Sequence, residues 1–133
     1  MYNKKILIAE DEKEIAAALE TFLREEGFQN IEHAPDGIQT AQKARKFKPD
    51  LILFDVEMPG WHKFNALMRL KLSIPDADIP FIVTTGLHDE GLKEKFMEAG
   101  AKAFFNKPFK PEALIEAIKA VFNETGRSVQ AGS

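Results

Sequence analysis

Apolar positions along the chain fall into two alternating patterns. Short continuous runs of strand length occur at Ile6–Ala9, Leu51–Phe54, Phe81–Thr84 and Ala103–Phe105, with a weaker one at Ile31–Ala34. Each is followed by a stretch whose apolar residues recur at helical spacing. Ile15, Leu19, Phe22 and Leu23 make the first stripe, which stops at Gly27. Asp36 is placed to cap a second helix carrying Ile38, Ala41 and Ala44, and a third bears Phe64, Leu67 and Met68. Leu92, Phe96 and Ala99 stripe a fourth that ends at Gly100. Pro111 opens a fifth, with Leu114, Ile118, Val121 and Phe122 turned inward. The strands are near-continuously apolar rather than alternating, which implies a sheet buried on both faces. Strand–helix repetition implies parallel strands with right-handed crossovers. The expected fold is α/β, a doubly wound five-stranded parallel sheet built from five βα units.

Length and charge narrow this picture. A chain of 133 residues with 44% hydrophobic content supports one core. From Thr125 onward TGRSVQAGS is polar and without period, so the domain is expected over residues 1–124, with a flexible tail or linker stump over 125–133. Eighteen basic against twenty-one acidic residues give a net charge of −3, and no nucleic acid is expected to bind through this domain. There is no cysteine, hence no disulfide framework or thiolate chemistry. The start, Met-Tyr-Asn-Lys-Lys, leads into no apolar stretch of targeting or spanning length, so a cytoplasmic location without membrane association is expected.

The candidate chemistry gathers at the C-terminal ends of the strands, where open α/β sheets bind ligands. The first strand ends in Glu10-Asp11, the third in Asp55, and the fourth in Thr84-Thr85-Gly86. The fifth runs through Asn106 into Lys107-Pro108-Phe109. Two carboxylates about 4 Å apart repel by roughly 4 kcal/mol at an effective dielectric near 20, so the acidic set must take up protons or hold a cation. Oxygen ligands without His or Cys favour a hard ion, Mg²⁺ first. A magnesium site with open positions suits phosphoryl transfer, with Lys107 and the Thr85 hydroxyl contacting the remaining phosphoryl oxygens. Asp55 then reads as a nucleophile that becomes an acyl phosphate.

These motifs, ILIAEDE, DLILFDVEMPG, PFIVTTG and FNKPF, in this order over Lys5 to Glu124, closely resemble the CheY-like receiver domain of two-component response regulators. The resemblance implies the flavodoxin-like strand order 2-1-3-4-5 and Asp55 as phosphoacceptor. It also implies Glu10, Asp11, Asp55 and the backbone carbonyl of Glu57 as Mg²⁺ ligands, and a cis Lys107-Pro108 bond. Thr85 would sense the phosphoryl group, and Phe104 stands where receivers carry an aromatic switch, a role that competes evenly with simple packing. The implied donor is a phosphohistidine of a sensor histidine kinase or histidine phosphotransfer protein. The output would be a surface change that engages a protein target, so the domain would be a signalling phosphoacceptor and no conventional enzyme.

Two departures from the family pattern stand out. The acidic pair is Glu10-Asp11 rather than Asp-Asp, and Trp61-His62-Lys63 follows MPG where Met-Asp-Gly is common. Trp61 and Phe64, at helical spacing, read as packing residues, and His33, His62 and His88 read as solvated. Thr84 is set aside by strand alternation. A flavodoxin-like FMN site is disfavoured because Glu10-Asp11 would repel the phosphate. A haloacid-dehalogenase-type phosphatase needs a second Asp two residues after the first, where this chain has Glu57. A pseudo-receiver, binding partners without phosphorylation, is the remaining alternative, but it would lack an Asp, Thr or Lys that is present here.

Overall fold

The computed structural model describes residues 2–58, 61–62 and 79–130, with side chains throughout except at 58, 61–62 and 125–130. Strands β1 (Lys5–Ala9), β2 (Asn30–Ala34), β3 (Leu51–Asp55), β6 (Phe81–Thr85) and β7 (Ala103–Asn106) form one parallel sheet in the order β2-β1-β3-β6-β7. With the short strands β4 (Glu57–Met58) and β5 (Trp61–His62) left aside, this is the 2-1-3-4-5 order. Helices α1 (Lys13–Glu25), α2 (Gly37–Phe47), α3 (Glu90–Glu98) and α4 (Pro111–Gln130) complete the described elements.

The apolar strands are buried on both faces because each face has its own helices. Leu7, Ala9, Ile52, Phe54, Phe81 and Val83 pack on one side with Ala44 of α2 and with Leu92 and Phe96 of α3. Ile6, Ile8, Leu51, Leu53 and Ile82 pack on the other with Ala16, Leu19 and Leu23 of α1 and with Leu114, Ile118, Val121 and Phe122 of α4. Strand alternation thus divides the β3 sequence, residue by residue, between two cores.

Local signals set the helix ends. Asp36 accepts the Gln39 N–H at 2.7 Å and starts α2. At the end of α1, Gly27 adopts φ +107° and the Phe28 N–H returns to the Leu23 carbonyl at 3.0 Å, a helix stop that places the Phe28 ring in the core.

Three features differ from the sequence reading. Ile38 is 70% exposed, because Gly37, Thr40 and Ala44 face the sheet and Ile38 lies about 100° round the helix from Gly37. After β3 the chain does not pass directly into a helix: β4 and β5 pair antiparallel, Glu57 with His62 and Met58 with Trp61. Trp61 therefore belongs to an extended strand. The intervening Pro-Gly sequence is a turn-forming dipeptide that the helical spacing of Trp61 and Phe64 obscured. The α4 backbone also stays helical to Gln130, since extending a packed helix needs no new nucleus. The expected helix of Phe64, Leu67 and Met68 lies outside the described residues.

Candidate functional site

Strand register builds the site. Ala9 pairs with Phe54, so the next residues, Glu10 and Asp55, leave neighbouring strands side by side. Thr84 pairs with Phe105, and Lys107, two residues further on, returns to the same face as Asp55. Carboxylate oxygens of Glu10, Asp11 and Asp55 lie within 4.8 Å of one another. Lys107 Nζ bridges two of them, 2.6 Å from Glu10 Oε1 and 3.2 Å from Asp55 Oδ2. The other Asp55 oxygen, Oδ1, accepts the Glu57 N–H at 3.0 Å, and Glu10 Oε2 accepts the Glu12 N–H at 3.2 Å.

Burial makes this arrangement electrostatically demanding. Glu10 is 3% and Asp55 5% exposed. Burial pushes the Glu10 carboxyl up to about 6, against the opposing pull of the Lys107 ammonium. Burial works against the charge on Lys107 as well, but its contacts with Glu10 and Asp55 prevail and hold its pKa above the ordinary lysine value. Three carboxylates against one ammonium leave an excess of negative charge, with Glu10 and Asp55 buried and Asp11 more exposed. The donor set is all oxygen, and an ammonium already lies between two of its members, so these residues fit a hard divalent cation.

The remaining sequence-selected residues fall around this cluster. Thr85 is fully buried, and its hydroxyl accepts the Leu87 N–H at 3.1 Å, which leaves the hydroxyl proton free to donate elsewhere. Thr84 is the register partner of Asp55 and projects to the same face of the sheet, so alternation does not set it aside as the sequence suggested. Phe104 pairs with Val83 and packs against the core that Thr85's face borders, its ring 6.5 Å from that of Phe96. The Lys107-Pro108 bond is cis. Glu57 meets the site through its N–H, and its side chain is exposed. Of the histidines, His88 is exposed, whereas His33 is not simply solvated, with Nε2 2.6 Å from Glu20 Oε1. The His62 side chain lies outside the described set.

Asn106, which the sequence offers only as part of a strand end, makes contacts of its own. The Asn106 side-chain amide donates to the Leu87 carbonyl and, at 3.5 Å, to that of Thr85. The available signal was a polar residue at a strand terminus next to the site lysine.

Known proteins resemble this chain in sequence and in fold. The family model described as the response regulator receiver domain matches residues 6–119. The transcriptional regulatory protein PdtaR of Mycobacterium tuberculosis is 36% identical over 116 residues, covering 87% of this chain and 55% of PdtaR. The sporulation initiation phosphotransferase F of Bacillus subtilis is 33% identical over 119 residues, covering 90% of this chain and 94% of that protein. The chain thus spans about half the length of PdtaR and nearly all of the phosphotransferase. A crystal structure of a CheY-like receiver domain protein from Methanospirillum hungatei superposes with a TM-score of 0.83 at 26% identity, over 95% of this chain and 98% of that one.

Proposed function

Since the chain belongs to the response regulator receiver domain family, we propose that Asp55 is its phosphoacceptor and that Glu10, Asp11, Asp55 and the backbone carbonyl of Glu57 hold Mg²⁺. The observation that carries this reading is the buried Asp55 carboxylate, clustered with Glu10 and Asp11 and bridged to Glu10 by Lys107. An Asp55 oxygen attacks the phosphorus of a phosphohistidine. The P–N bond breaks as the P–O bond forms, and the imidazole leaves with the bonding pair and takes up a proton. Bound Mg²⁺ supplies charge neutralisation for the phosphoryl oxygens.

The chain's own residues do the rest. Lys107 exchanges part of its contact with Glu10 and Asp55 for a phosphoryl oxygen, and the Thr85 hydroxyl donates its free proton to another. The donor is a sensor histidine kinase or histidine phosphotransfer protein, and a protein target reads the resulting surface. Residues 1–124 act as the domain and 125–133 as its tail or linker. No helix among the described residues is long and apolar enough to cross a membrane.

Beryllofluoride, an acyl-phosphate mimic, tests the reading. It should bind in millimolar Mg²⁺ and be lost on chelation, and binding indifferent to chelator would overturn the magnesium-dependent acceptor.

A further inference from the structure

The Asn106 side chain reaches back from the end of β7 to the loop that follows β6. Its amide donates to the Leu87 carbonyl and, more weakly, to the Thr85 carbonyl, while the Lys107 N–H next to it holds the same Thr85 carbonyl at 2.8 Å. The Leu87 N–H is in turn the donor to the Thr85 hydroxyl. These contacts close a chain from Asn106 through Leu87 to the Thr85 oxygen. They also fix the Thr85 backbone to the residue that carries the site ammonium.

A threonine hydroxyl offers one proton and two lone pairs. With one lone pair occupied by the Leu87 N–H, the proton is steered away from the loop. If the 85–87 turn were free to move, the hydroxyl would sample rotamers in which its proton meets backbone carbonyls instead. Asn106 restrains that turn from outside, and among the described contacts no other side chain donates to the Leu87 carbonyl. Building on the phosphoacceptor reading, we propose that Asn106 is a positioning residue for phosphoryl acceptance: through Leu87 it holds the Thr85 hydroxyl with its proton available to the phosphoryl oxygens.

Among the described hydrogen bonds the Asn106 side chain donates to the Thr85 and Leu87 carbonyls and to none of the carboxylates, so the inference separates two quantities that a general loss of structure would change together. Labelling of the protein by a small-molecule phosphodonor is measured against Mg²⁺ concentration for wild type, Asn106→Leu, Thr85→Ala and the double variant. Asn106→Leu keeps the side-chain size and removes the donor, and Asn106→Ala serves the same comparison should the leucine variant unfold. The maximal rate should fall about fivefold, the scale of one ordinary hydrogen bond, while the Mg²⁺ concentration at half-saturation stays within about twofold. In the Thr85→Ala background the Asn106 substitution should have no further effect, because the hydroxyl it positions is gone. An unchanged rate in Asn106→Leu, or an undiminished further loss in the Thr85→Ala background, overturns the inference while labelled wild type leaves the phosphoacceptor reading intact. Wild type that takes no label overturns both.

Discussion

Lys107 Nζ lies 2.6 Å from Glu10 Oε1, closer than its 3.2 Å approach to Asp55, and this contact joins residues 97 positions apart in the chain. The ammonium is thus shared between a carboxylate assigned to the metal and the one assigned to the phosphoryl group. On the proposed reading, cation binding and phosphorylation would each act on the partners of the same lysine.

Removing that lysine leaves Glu10 and Asp55 facing each other with little solvent. Lys107→Met should lower stability by about 3 kcal/mol at pH 8, the usual scale for breaking a buried pair by deleting one partner. At pH 5 the loss should be smaller, because Glu10 then takes up a proton. Urea unfolding without metal at the two pH values checks this, and an equal loss at both would show that the pair is not what the lysine stabilises.

The Glu10 carboxyl makes its own pH prediction. Its folded value of about 6 lies above the ordinary 4.5, so its contribution to stability is full below pH 4.5 and is lost as pH rises through about 6. Glu10→Gln should lack that dependence, and wild type should lose about 2 kcal/mol relative to it across the window. Mg²⁺ binding runs the other way. Its affinity should weaken about tenfold per pH unit below 6 as protons compete for Glu10. Parallel stability curves for the two proteins would contradict the assignment.

Phe104 lies on the Thr85 face of the sheet with its ring partly buried against the Phe54–Phe96 core. Phenylalanine has no hydroxyl to satisfy, so this partly buried placement forfeits no hydrogen bond. A ¹⁹F label on Phe104 should report a shift in population when beryllofluoride and Mg²⁺ are added, as Thr85 moves toward the phosphoryl oxygens. A single resonance that does not move would make Phe104 packing only.

The sheet and the rim were legible in the sequence because both depend on short-range patterns. Continuous apolar runs such as Leu51–Phe54 specify buried parallel strands, and a polar residue directly after such a run must emerge at the C-terminal edge. Less legible were features decided by pairing between segments. The exposure of Ile38 depends on which face of α2 meets the sheet, and the β4–β5 pairing on a partner strand that begins directly after a Pro-Gly step. The shared face of Thr84 and Asp55 follows from interstrand register, which no single strand reveals. The role of Asn106 is hidden for the same reason, since its partners lie at the end of β6 and in the loop after it, 21 and 19 residues earlier.

The central claim is that Asp55 accepts the phosphoryl group. Intact-mass spectrometry after incubation with a small-molecule phosphodonor and Mg²⁺ tests it most directly, with wild type and Asp55→Asn compared side by side. Wild type should gain one phosphoryl group, removable by hydroxylamine as an acyl phosphate is, and Asp55→Asn, whose amide is no nucleophile, should gain none. Equal labelling of the two proteins would contradict the account and place the acceptor elsewhere.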